Sequence, residues 1–120
     1  MAKTILVVDD SPAHLQLMQS AIEGRGYDIL TAADGEDALA QAQARHPDLI
    51  LLDIVLPKKN GYQVCRQLKG SQDTNAIKII LVSSKSQETD RYWGMKQGAD
   101  AYLTKPFQPA DLVAAVERAL

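Results

Sequence analysis

At 120 residues the chain has the length of one domain with a core of its own, and a formal net charge of -2 without a basic cluster argues against direct nucleic-acid binding. Its single cysteine, Cys65, excludes an internal disulfide and a Cys/His zinc cluster, and fits a reducing compartment. The amino terminus leads straight into an aliphatic run, with no signal peptide and no membrane-length segment, so residues 1–120 read as one soluble, cytoplasmic domain away from the membrane.

Thr4–Val8 reads as a buried strand, because Ile5-Leu6-Val7-Val8 shows no polar alternation, and it ends in two carboxylates, Asp9 and Asp10. Ser11-Pro12 is a helix-start signal: the serine oxygen can accept a free amide hydrogen bond, and proline needs no donor at the first helical position. Leu15, Met18 and Ile22 form the apolar face of that helix, which ends at Gly24 and Gly26. A strand over residues 27–32 carries Asp28 and Thr31, which suits a sheet edge. Asp34-Gly35 then turns the chain into a helix marked by Ala38, Leu39 and Ala42, which stops before Pro47.

Leu49-Ile50-Leu51-Leu52 is the central strand, four aliphatics suited to burial on both faces, and it runs directly into Asp53. Pro57 and Gly61 close the loop behind it. Val64, Cys65 and Leu68 mark a third helix ending around Gly70, and residues 71–75 are polar enough for a surface loop. A fourth strand spans residues 77–82 and finishes at Ser83-Ser84. The fourth helix, residues 87–97, is weakly amphipathic, with Tyr92, Trp93 and Met95 spread around it. Ala101–Thr104 is a short fifth strand ending at Lys105-Pro106, and Pro109 opens a last helix with Leu112, Val113, Val116 and Leu120 on one face. Such alternation predicts an α/β fold, a parallel sheet with right-handed crossovers and helices on both faces.

In that fold the carboxyl ends of the strands share one rim, so Asp9, Asp10, Asp53, Ser83 and Lys105 converge from four strands. Singly, each has a plain reading as a turn residue, a cap or a solvated lysine. Together they do not. Three neighbouring carboxylates repel one another unless a cation intervenes, and hard oxygen ligands with room for water suit magnesium. Lys105 and the Ser83 hydroxyl add a counter-charge and a donor for a phosphoryl group.

Val7-Val8-Asp9-Asp10, Leu52-Asp53 with Pro57 and Gly61, Val82-Ser83, and the run from Gly98 through Tyr102 to Lys105-Pro106-Phe107 resemble bacterial two-component response-regulator receiver domains along the whole chain. The resemblance implies a flavodoxin-like, doubly wound five-stranded sheet of order 2-1-3-4-5, an order the chemotaxis member of this family is known for. It implies that Asp53 is the phosphoacceptor, a nucleophile toward a sensor histidine kinase or its phosphotransfer domain. Asp10 and Asp53 would bind magnesium directly, Asp9 through water, and Val55 through its backbone carbonyl. Lys105 would be the fixed counter-charge and precede a cis proline. Ser83 and Tyr102 would read phosphorylation out on the face of the fourth helix, fifth strand and fifth helix, where an unknown protein target binds a monomer or weak dimer.

Val55 and Lys85 occupy positions that vary in the family, and the apolar Val55 predicts slow self-dephosphorylation. Gln87-Glu88-Thr89-Asp90 with Trp93-Gly94 and Gly98-Ala99 is similar to receivers of type IV pilus twitching-motility systems. Trp93 is open between packing and partner contact. His14 and His46 read as surface residues without the neighbours of a catalytic histidine, and Cys65 as a small core residue. Two alternatives stand beside a stand-alone phosphoacceptor switch in pilus motility or chemotaxis. One is a receiver excised from a longer DNA-binding or enzymatic regulator. The other is an aspartyl-nucleophile phosphohydrolase, which would want an acid where Val55 stands.

Overall fold

The elements alternate as the apolar runs predict in the computed structural model, which describes residues 2–120. They are β1 (Thr4–Val8), α1 (Pro12–Ile22), β2 (Asp28–Ala32), α2 (Gly35–Arg45), β3 (Leu49–Leu52), α3 (Gly61–Lys69), β4 (Lys78–Ser83), α4 (Glu88–Lys96), β5 (Ala101–Thr104) and α5 (Pro109–Ala119). Among the described residues the strands form one parallel sheet of order β2-β1-β3-β4-β5. The polar β2 takes an edge, and the all-aliphatic β3 takes the centre.

Strand alternation divides the interior into two layers. Leu6, Val8, Ile50, Leu52, Ile79 and Leu81 face the helices α2 and α3, through Ala38, Leu39, Val64 and Leu68. Ile5, Val7, Leu49, Leu51, Ile80 and Val82 face the other way, onto Met18 and Ile22 of α1 and Leu112 and Val116 of α5. Truncating a fully buried member such as Leu51 to alanine costs about 2–5 kcal/mol, the usual range for a core leucine. The helices start where their caps dictate: Ser11, Asp34 and Asn60 each accept an amide hydrogen bond from the residue three further on.

Three local features differ from the sequence reading. β2 begins at Asp28 and β4 spans Lys78–Ser83, because Lys78 pairs in register with Leu49 and Ser83 with Thr104. Ser83 is thus the last residue of a strand, not the first of a loop. The polar segment 71–75 is anchored by a buried residue, Thr74, whose hydroxyl donates to the Leu68 carbonyl at 2.7 Å. Helix α4 buries Gly94 against the sheet and turns Tyr92, Trp93 and Met95 to solvent. A Cβ at Gly94 would lie 2.7 Å from Leu81 Cδ1 and 3.0 Å from Tyr102 Cδ2.

Candidate functional site

Asp9, Asp53 and Lys105 are each placed by extending the sheet ladder one residue past a strand. The Asp9 amide donates to the Ala32 carbonyl at 3.2 Å, the Asp53 amide to Val8 at 3.1 Å, and the Lys105 amide to Ser83 at 2.8 Å. Behind Asp53, the Gly61 amide donates to the Ile54 carbonyl at 2.8 Å. A Cβ at Gly61 would stand 2.2 Å from the Asp53 carbonyl oxygen, so only glycine lets the start of α3 close over the loop that carries the acid. The Lys105–Pro106 peptide is cis.

Asp9, Asp10 and Asp53 bring one carboxylate oxygen each within 4.8 Å of the others. Asp9 and Asp53 are buried, whereas Asp10 is exposed at the mouth. Lys105 Nζ stands 2.6 Å from Asp9 Oδ2 and 3.7 Å from Asp53 Oδ2, and its side chain is 10% exposed. The second oxygen of each buried acid is held by a backbone amide: Ser11 donates to Asp9 Oδ1 at 2.9 Å and Ile54 to Asp53 Oδ1 at 2.8 Å. Burial pushes the Asp53 carboxyl above its ordinary range; the Lys105 charge and the Ile54 amide oppose this, and Asp9 and Asp10 add to it. An all-oxygen cluster of three acids with one side open to water fits a hard, hydrated divalent cation such as magnesium.

Ser83 is fully buried, and its Oγ accepts the Lys85 amide at 3.2 Å. Tyr102 is turned inward, its hydroxyl donating to the Lys85 carbonyl at 2.6 Å. Arg91 of α4 donates to the Tyr102 carbonyl at 3.2 Å and lies 5.8 Å from its ring centroid. Burial chiefly, with Tyr62 and Asp90, pushes the Tyr102 hydroxyl up to about 12.

A family model, the response regulator receiver domain, matches residues 5–117. The chain belongs to this family. Receivers are the phosphoaccepting switches of two-component systems: histidine kinases phosphorylate them on aspartate, and they act on downstream targets. The receiver is 43% identical over 116 residues to protein PilH of Pseudomonas aeruginosa, covering 97% of this chain and 96% of that protein. It is 45% identical over 120 residues to the alkaline phosphatase synthesis transcriptional regulatory protein PhoP of Bacillus subtilis. There the whole receiver spans only 49% of the relative's length. Among solved structures, the chemotaxis response regulator CheY4 of Vibrio cholerae superposes with a TM-score of 0.93 over 100% of both chains, at 29% identity. That likeness accords with the flavodoxin-like strand order expected from the sequence.

The receiver's rim brings together all five of the residues that the strand ends predicted: Asp9, Asp10, Asp53, Ser83 and Lys105. Val55 lies beside them with its side chain exposed, and Trp93 is 57% exposed on α4. Both histidines are exposed, as the sequence suggested, and each has a partner that the sequence did not show. His46 caps α2 in the left-handed region and faces Asp73 at 3.1 Å. His14 is no isolated surface residue, since its Nδ1 lies 3.1 Å from Lys105 Nζ and 3.8 Å from Asp9 Oδ2. Nothing in the local sequence signalled this, because the contact joins residues 91 positions apart.

Proposed function

We propose that this receiver, residues 1–120, accepts a phosphoryl group on Asp53 from a sensor histidine kinase or its phosphotransfer domain and converts it into altered partner binding on the α4, β5 and α5 face. The observation that carries this reading is Lys105 Nζ standing between Asp9 and Asp53 on a rim that also holds Asp10 and Ser83. In the step itself an Asp53 carboxylate oxygen forms a bond to phosphorus as the bond to the kinase imidazole nitrogen breaks. Little other covalent chemistry is needed, so positioning and charge do the catalysis. Asp10 and Asp53 would hold magnesium directly, Asp9 through water, and Val55 through its backbone carbonyl. The bound ion would supply positive charge toward the phosphoryl oxygens.

Lys105 supplies a second positive charge, 3.7 Å from Asp53 Oδ2. Ser83 Oγ accepts the Lys85 amide, and its hydroxyl would donate its proton to a phosphoryl oxygen once one is bound. That new bond would favour the arrangement in which Tyr102 is turned inward. The phosphoryl group can shift the equilibrium only by its differential stabilisation of the two arrangements, on the order of a few kcal/mol for a clear switch.

Similarity to PilH over nearly the full length of both proteins supports a stand-alone receiver, and similarity to PilH and to CheY4 supports a place in pilus motility or chemotaxis. The PhoP match over half of a longer protein favours a second reading, a receiver joined to an effector domain. A cytoplasmic setting accords with the kinase partner, and among the described residues no helix is long and apolar enough to cross a membrane. A phosphohydrolase is disfavoured, since exposed Val55 stands where that chemistry needs an acid. Incubation with acetyl phosphate and magnesium, followed by intact mass measurement, tests the proposal. Wild type is expected to gain one labile phosphoryl adduct and Asp53→Ala none; an unmodified wild type would overturn the reading.

A further inference from the structure

We infer that His14 is a positioning residue for Lys105, fixing the direction in which the lysine ammonium presents its free N–H. This rests on the reading of Lys105 as the cation that meets the phosphoryl group. Lysine is a donor only, so the contact of 3.1 Å between Lys105 Nζ and His14 Nδ1 requires Nδ1 to accept and the ring proton to sit on Nε2. The ammonium has three N–H bonds in tetrahedral array. Asp9 Oδ2 takes one at 2.6 Å and His14 takes a second. The third is left for the side where Asp53 Oδ2 waits at 3.7 Å, too far for a direct hydrogen bond but on the flank where a phosphoryl oxygen would lie.

Four hydrogen bonds make this arrangement a closed ring. Asp9 Oδ1 accepts from the Ser11 amide at 2.9 Å, Ser11 Oγ accepts from the His14 amide at 3.3 Å, His14 Nδ1 accepts from Lys105, and Lys105 returns to Asp9 Oδ2. Ser11 is the N-cap of α1 and Pro12 its first residue, so the first turn that points His14 at the lysine has a fixed φ and a satisfied cap. His14 Nδ1 is 3.8 Å from Asp9 Oδ2, beyond hydrogen-bond reach, so its partner in the ring is the lysine and not the acid. Without the imidazole, Asp9 alone would hold the ammonium, which could then turn about that single bond.

The test uses His14→Leu, which removes the acceptor, and His14→Asn, whose amide oxygen sits as many bonds from Cα as Nδ1 does. In 15N-resolved spectra of the lysine ammonium groups, Lys105 is expected to exchange its protons slowly in wild type, faster in His14→Leu, and slowly again in His14→Asn. With acetyl phosphate as donor, His14→Leu is expected to slow the maximal phosphorylation rate about fivefold, the effect of one modest hydrogen bond, with the half-saturating donor and magnesium concentrations unchanged. His14→Asn should restore the rate. An unaltered Lys105 ammonium signal in His14→Leu, or equal slowing in both variants, would overturn the inference. A wild type that takes no phosphoryl group would instead overturn the functional reading, leaving the ammonium spectra to decide the role of His14.

Discussion

The hydroxyl of Tyr102 donates to the carbonyl oxygen of Lys85 at 2.6 Å. The amide of the same Lys85 donates to Ser83 Oγ at 3.2 Å, so the backbone of one residue links the buried serine to the buried tyrosine. Motion of Lys85 as a unit would disturb both contacts together.

Tyr102→Phe removes only the far end of this link. The variant should still take a phosphoryl group on Asp53, because no atom of Tyr102 enters the transfer. It should lose about 1 kcal/mol of stability in urea unfolding, the usual net value of one hydrogen bond. Phosphorylation-induced amide shifts in α4 should shrink relative to wild type, and undiminished shifts would show that the hydroxyl is not part of the readout.

The same hydroxyl sets a behaviour in alkali. Burial keeps it protonated up to about 12, whereas in the unfolded chain it ionises near the ordinary tyrosine value of 10.0. Its contribution is therefore fully present below the unfolded value and is lost as pH rises through the folded one. Urea midpoints should fall between about pH 10 and 12 in wild type and fall less steeply in Tyr102→Phe.

Asp53 should act against stability at neutral pH when metal is absent. Its folded carboxyl is pushed up, by burial first, above the ordinary 3.8, so the folded state is favoured while the acid is protonated and loses that advantage as pH rises through the folded value. Asp53→Asn keeps the size of the side chain and removes the charge. A melting temperature a few degrees above that of wild type is expected in a chelator-containing buffer near neutrality, with a smaller rise on adding magnesium. A lower melting temperature for the variant would contradict this.

Phosphate lifetime should be long and should respond to Val55. Its exposed side chain has no polar atom with which to hold an attacking water next to Asp53. Val55→Asn supplies a donor and an acceptor there, and should lose phosphate several-fold faster in a chase followed by intact mass. Equal rates in the two proteins would remove the role.

Strand order and the five rim residues were legible because unalternated aliphatic runs mark buried parallel strands, and a polar residue after each run must emerge at their shared edge. Lys85 was singled out only as a position that varies in the family, yet the structure employs its backbone amide and carbonyl, and backbone partners carry no residue signature. The contact of the exposed His14 with Lys105 was hidden for a different reason. Its partner arrives from the far end of the chain, and the distance that matters depends on the first turn of α1 meeting the segment that follows β5. The burial of Thr74 was hidden by its polar neighbours, and the exposure of Trp93 by the weak amphipathicity of α4.

Gly94 lets α4 lie against the sheet with its backbone on Leu81 and the Tyr102 ring, where even a methyl group would intrude. A larger residue there would wedge the helix outward, pressing on Leu81 and the Tyr102 ring and not on Asp53 itself. The molecule would then still charge and discharge, but its partners would see the same face in both conditions: a receiver with working chemistry and no output.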